Sequence, residues 1–88
     1  MNRAVQLTAI IEREGDWFVA TCPELDVVSQ GPSIEEARSN LIEAVELFFE
    51  AASPSEIRRR LKRETYIMPI MPSVPSAKLK RAATTGNA

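Results

Sequence analysis

Hydrophobic and polar residues alternate over residues 4–12. Val5, Leu7, Ala9 and Ile11 fall on one side, and Gln6, Thr8 and Glu12 on the other. A period of two predicts a half-buried strand. Glu14-Gly15-Asp16 follows, and its glycine can take the positive φ that a tight reversal needs. Trp17 to Cys22 is rich in aromatic and β-branched side chains, which predicts the returning strand of a hairpin. Pro23 has no N–H to give to a ladder and ends that strand. Residues 26–30 contain Val27 and Val28 and predict a short third strand, which Gly31-Pro32 closes.

The period then changes from two to three and four. Ile34, Ala37, Leu41, Ala44, Val45, Phe48 and Ala52 share one helical face, with Arg38, Asn40, Glu43, Glu46 and Glu50 opposite. Ser33-Ile34-Glu35-Glu36 in front of them is a capping box. An amphipathic helix over 34–52 is therefore predicted, packed across one face of the sheet. Ile42 and Phe49 form a secondary stripe on its flank, placed to cover a sheet edge or meet another subunit. Ser53-Pro54-Ser55-Glu56 repeats the start signal and predicts a short second helix to about residue 63, anchored only by Ile57 and Leu61. Residues 65–71 read as a fourth strand, and Pro69 puts it at an edge. The expected fold is α+β: an antiparallel three-stranded meander, an amphipathic helix, a short second helix and an edge strand, with residues 1–71 forming one domain. The tail, residues 72–88, is dominated by Pro, Ser, Ala, Thr, Gly and Asn. It is expected to be disordered, or ordered only on a partner.

Composition narrows the chemistry. Eighty-eight residues make a thin core, which self-association or a partner would support. The polar start lacks the apolar run of a signal peptide, no stretch has the ~20 apolar residues of a membrane span, and the single cysteine excludes an intrachain disulfide. Together these features point to the cytoplasm. There is no histidine, the commonest acid–base group and metal ligand. Cys22 therefore has no histidine to activate it and reads as a small buried side chain. Glu12, Asp16, Glu24 and Asp26 lie near strand ends, where magnesium-dependent nucleases keep acids. Solvated turn acids are the usual explanation for such residues, so neither metal nor cofactor is expected, and no enzyme activity.

The net charge of −1 conceals two opposed halves. Residues 1–53 hold three Lys and Arg against ten Asp and Glu; residues 54–88 hold eight against two. The acidic half suits a basic partner. Glu12, Glu14, Asp16, Glu24 and Asp26 are the candidate contacts, with Trp17 either their apolar anchor or a core residue against the helix. The basic half centres on Arg58, Arg59, Lys62 and Arg63, flanking Arg60. On a helix these cations would either contact nucleic-acid phosphates or lie solvated near a C-terminus, where they suit the dipole. A nucleic-acid-binding transcriptional regulator using residues 58–63 is the alternative function.

The run Trp17-Phe18-Val19-Ala20-Thr21-Cys22-Pro23-Glu24-Leu25, then Val28-Ser29-Gln30-Gly31 and Ser33-Ile34-Glu35-Glu36-Ala37, resembles the HicB-like antitoxin pattern. That pattern is an aromatic-led strand, a Pro-acid-Leu turn, a short strand closing on glycine, and a helix opening Glu-Glu-Ala. It covers residues 4–52. The resemblance implies a truncated ribonuclease-H-like fold and dimers or higher homo-oligomers. It also implies a partner: a small basic HicA-like toxin that cleaves mRNA with its own histidine. The chain would be an antitoxin that occludes the toxin's active surface. Two features depart from the pattern. Asp26-Val27 stands where many members have a glycine and a small residue. Residues 72–88 are too few for the DNA-binding module that many members carry, which leaves operator binding to the basic second helix.

Overall fold

The computed structural model describes residue 3 and residues 5–86, with side chains described as far as Ala82. Three strands, β1 (Ile10–Glu14), β2 (Trp17–Cys22) and β3 (Val27–Gly31), precede α1 (Ile34–Ala51), α2 (Pro54–Leu61) and α3 (Ser76–Gly86). The sheet is an antiparallel meander in the order β1-β2-β3. Glu14 pairs with Trp17 across a two-residue loop in which Gly15 takes φ 64°. That is the φ pattern of a type II′ hairpin, with glycine at the first loop position.

β1 is shorter than the alternation over residues 4–12 predicts. Its register explains why. Ile10 lies opposite Thr21, so the next residues of β1 toward the N-terminus would meet the end of β2 and then Pro23. Proline cannot donate to the ladder, and the chain turns there. A side chain substitutes for the missing strand. The Thr8 backbone N–H donates to Glu24 Oε1 at 3.1 Å, and the Thr8 hydroxyl donates to Glu24 Oε2 at 2.6 Å.

The turn after β2 buries its own plug. The Leu25 N–H donates to the Cys22 carbonyl at 3.3 Å, and the Leu25 side chain is 0% exposed. Asp26 follows at φ 58°. Aspartate tolerates this left-handed conformation better than most residues, though glycine adopts it without strain.

α1 matches its predicted span. The Ser33 hydroxyl accepts from the Glu36 N–H at 3.1 Å and donates to the Glu36 carboxylate at 3.3 Å. Phe18, Ala20 and Cys22 of β2, Ile11 of β1 and Val27 of β3 face the helix. The fully enclosed core is Ala20, Cys22, Leu25, Ala37 and Leu41, with Leu7, Val45, Phe48 and Phe49 half-buried around it. Three of the five, Ala20, Cys22 and Ala37, are small, so the helix lies close on the sheet. Asn40 ties the two layers at the sheet edge, donating from Nδ2 to the Gln30 carbonyl at 2.9 Å.

Beyond α2, two expectations change. Residues 65–71 were expected as a fourth, edge strand; they join no sheet and are exposed. The tail was expected to be disordered alone, yet Ser76–Gly86 is helical. Its Ala, Leu, Lys and Arg content favours helix once Pro75 has started it.

Candidate functional site

The sheet has one covered face and one open face. Side chains alternate along each strand, so the residues between the core positions point away from α1. On β1 these are Ile10, Glu12 and Glu14; on β2, Trp17, Val19 and Thr21; on β3, Val28 and Gln30. No element packs on them among the described residues. Trp17 is 48% exposed and Val28 57%. Trp17 is therefore a surface residue, and the alternative of a core residue against the helix is corrected. The hairpin's parity puts it on the face opposite α1.

Trp17 lies directly across from Glu14, with Glu12 two cross-strand pairs further along on the same face and Asp16 in the adjoining turn. All three acids are exposed. The hairpin tip thus presents a half-exposed indole ringed by carboxylates. Such a combination is complementary in charge and shape to a cationic surface with an apolar cleft. On the covered side of the same hairpin, the Arg13 guanidinium lies 4.8 Å from the centre of the Phe18 ring. It shields the outer end of the core.

Glu24 and Asp26 do not join that cluster. They occupy the turn at the opposite end of β2, six residues and about 17 Å away at the rise of an extended chain. Asp26 is exposed there, but Glu24 is engaged internally. Besides Thr8, the Cys22 thiol donates to Glu24 Oε1 at 3.4 Å. Burial pushes the Glu24 carboxyl upward, but the hydrogen bonds from Thr8, with help from Cys22, outweigh it and hold the group below the usual carboxylate range. For Cys22 itself burial is the largest influence and raises the thiol. This matches the reading of an inert, enclosed side chain.

A pH dependence follows. A depressed carboxylate adds stability that is present above its unfolded value, about 4.3. That stability is lost as pH falls through the lower folded value. Acidification below pH 4 should release residues 5–9 from Glu24. The Glu24→Gln variant should show faster Thr8 amide exchange already at neutral pH, on the order of tenfold for one weakened charge-assisted hydrogen bond. Amide exchange followed by NMR tests this. Exchange at Thr8 that is the same in both proteins would show that the tie carries no weight.

The basic run divides as well. Arg60 is structural: its Nε bonds Glu56 Oε2 at 3.1 Å, its Nη1 donates to the Leu25 carbonyl, and its guanidinium lies 5.3 Å from the Phe48 ring centre. It fastens α2 onto the Leu25 turn and α1. Arg59 pairs with Glu56 at 2.7 Å on the surface. Such an exposed i,i+3 pair contributes only a few tenths of a kcal/mol. Arg58, Lys62 and Arg63 are exposed. Glu56, on α2 itself, is the acid that pairs with this run, through Arg59 and Arg60.

Over 65 residues the chain is 37% identical to a protein of Helicobacter pylori (strain J99) described as a UPF0150 protein. The aligned stretch covers 73% of this chain and 90% of the relative. The chain belongs to the UPF0150 protein family. No family model and no solved structure matches it. In this UPF0150 protein no helix among the described residues is long and apolar enough to cross a membrane. Nor, among those residues, do three or more His, Cys, Asp or Glu side chains converge as a metal site would require. Its distinctive surface features are the acidic hairpin and the open sheet face.

Sequence reasoning missed two groups here. Glu24 was read as a partner contact, because nothing in the local pattern ties it to Thr8, sixteen residues earlier. Arg60 was read as one of a run of cations. Its different role comes from α2 folding back onto the Leu25 turn, which no spacing rule reports.

Proposed function

We propose that this UPF0150 protein is an antitoxin-type binding protein that neutralises a small HicA-like mRNA-cleaving toxin by occluding its active surface. The observation that carries this reading is the hairpin tip. Glu12, Glu14 and Asp16 surround the exposed Trp17 on a sheet face that no helix covers among the described residues. A nuclease that binds RNA presents a cationic surface, and the hairpin offers that surface a carboxylate cluster with an aromatic anchor. The HicB-like pattern over residues 4–52 and membership of the UPF0150 family support the same conclusion. Binding, rather than catalysis, is then the activity of the chain. The partner face comprises Glu12, Glu14, Asp16 and Trp17, while Glu24 serves the fold and Asp26 lies at the far end.

Co-expression with a small basic reading frame adjacent to its gene tests this reading. The wild-type chain should restore growth and co-elute with the product. Reversing Glu12, Glu14 and Asp16 to lysine should slow association roughly 10- to 1,000-fold at low salt, with the gap closing as salt rises. Trp17→Ala should act mainly on dissociation. Unchanged growth rescue and kinetics in the charge-reversed protein would remove the hairpin from the interface. No complex with the wild-type chain would remove the antitoxin reading itself.

A further inference from the structure

The arm that follows α2, residues 64–75, is used neither by the fold nor by the hairpin. It forms no helix, strand or turn, and every side chain in it is exposed. Met71 is 96% exposed and Met68 73%. The Tyr66 hydroxyl donates to Glu64 Oε2 at 2.7 Å, a contact within the arm itself. Arm and α3 lengthen the molecule to 54 Å. They also raise the radius of gyration to 17.2 Å, against about 12 Å for a compact chain of this size. So many apolar side chains in one exposed run mark an interaction surface.

The order of residues in the arm says what shape that surface takes. Prolines stand at 69, 72 and 75, three residues apart. Each fixes its own φ near about −65° and drives the residue before it into the extended region. The preceding residues are Met68, Met71 and Val74, so most of residues 68–75 is held to polyproline II geometry. No residue of the arm has a positive φ. A polyproline II helix has three residues per turn, so a spacing of three makes an edge. Tyr66, Pro69, Pro72 and Pro75 share one edge, and Met68, Met71 and Val74 the next. Ile67, Ile70 and Ser73 form the third. The same spacing works against a strand. Successive N–H groups of a strand point to opposite sides, so Pro69 and Pro72 would face opposite ladders. Whichever side paired would meet a residue with no donor.

We propose that residues 66–75 are a polyproline II ligand for a second protein, one that presents a groove lined by aromatic side chains and bordered by carboxylates. Such grooves take up proline-rich segments between aromatic rings. The arm offers three apolar dipeptides in register: Met68-Pro69, Met71-Pro72 and Val74-Pro75. The prolines set the bound shape in advance, so docking has little left to order. Charge supplies the border of the groove. No Asp or Glu follows Glu64, whereas Lys78, Lys80 and Arg81 lie beyond the last proline and Arg58, Lys62 and Arg63 before the first. Carboxylates beside the groove steer such a segment to its site. An anionic lipid surface would use the cations but has no need of a period of three. A nucleic-acid backbone would leave Met68 and Met71 uncovered. The hairpin tip is not part of this contact, so toxin binding and arm docking stand or fall separately.

The test titrates the full, isotopically labelled chain, without any toxin, with a panel of isolated SH3 and WW domains, whose grooves have this aromatic lining. NMR follows the binding. At least one domain should shift the resonances of residues 66–78 and leave the sheet and α1 unmoved. Pro72→Ala together with Pro75→Ala should weaken that binding about tenfold or more, as for loss of an interface hot spot. Both side chains are exposed, so the spectrum of the folded domain should stay native. A groove holds two edges of the helix and leaves the third in solvent. Ile70→Ser should therefore change the affinity less than about twofold, while Met71→Ser weakens it as the proline variant does. Three results would each overturn the proposal: no domain of the panel binding at about 1 mM, equal losses in Ile70→Ser and Met71→Ser, or vesicles containing phosphatidylserine shifting the arm while no domain does. The second would mean apolar adhesion without regard to edge, and the third a lipid-surface anchor.

Discussion

Leu25→Ala should cost about 2–5 kcal/mol of folding free energy, the range for truncating an enclosed leucine. Leu25 sits in a turn, where most side chains are dispensable, yet it is 0% exposed and packs with Ala20, Cys22, Ala37 and Leu41. Its neighbours are small, so they cannot lean far into the space its removal leaves. The backbone around it is also committed, to the Cys22 carbonyl on one side and the Arg60 guanidinium on the other. The site therefore collapses poorly, and the loss should fall in the upper part of the range. A small domain has roughly 5 kcal/mol in total, so the variant should be substantially unfolded in dilute denaturant. Urea titration followed by circular dichroism reads this as a midpoint shifted strongly downward with little change in slope. A shift worth under about 1 kcal/mol would show that the turn repacks and that Leu25 is not the keystone of the core.

Gly31→Ala is the second large effect, and its cause is contact rather than burial. A Cβ on Gly31 would stand 2.6 Å from the Ala37 nitrogen, 2.9 Å from the Glu36 carbonyl carbon and 3.0 Å from the Ala37 Cα. All three are backbone atoms of the first turns of α1, so relief requires moving the helix off β3. Overpacking of this kind costs about 1–3 kcal/mol, and a rigid backbone neighbour puts Gly31 at the top of that range. At roughly 4–8 °C per kcal/mol for a domain of this size, the thermal midpoint should fall by more than 10 °C. Gly15→Ala makes the contrast. A Cβ there meets nothing within 4 Å, but the residue holds φ 64°. Only backbone strain applies, about 1 kcal/mol. Thermal unfolding of the two variants side by side separates the mechanisms. Equal losses would mean that the helix can shift away from Gly31 at little cost.

The two glycines show where reading a sequence succeeds. Gly15 was legible because a turn of two residues between alternating segments demands a positive φ, a purely local need. Gly31 read locally as a strand-ending breaker. Its close approach to Ala37 exists only once α1 lies on β3. The same division holds at the candidate site. The acids and the indole of the hairpin were named from the chain, and the strand register then put Glu14 across from Trp17. Glu24 belonged to the same list by composition, but the structure spends it on Thr8.

Local periodicity and capping determined a good deal: the hairpin, β2, the span of α1 with its Ser33 cap, the start of α2, and the buried character of Cys22. Each depends on residues within a few positions of one another, where steric and hydrogen-bonding preferences act directly. Tertiary structure decided where β1 begins, which face of the sheet stays open, that Arg60 locks α2 to the Leu25 turn, and that residues 65–71 find no ladder on their own chain. These outcomes depend on which surfaces meet across long stretches of sequence. A period of two gives a strand its faces but not its neighbour, and pairing is settled only when the competing edges are assembled in space.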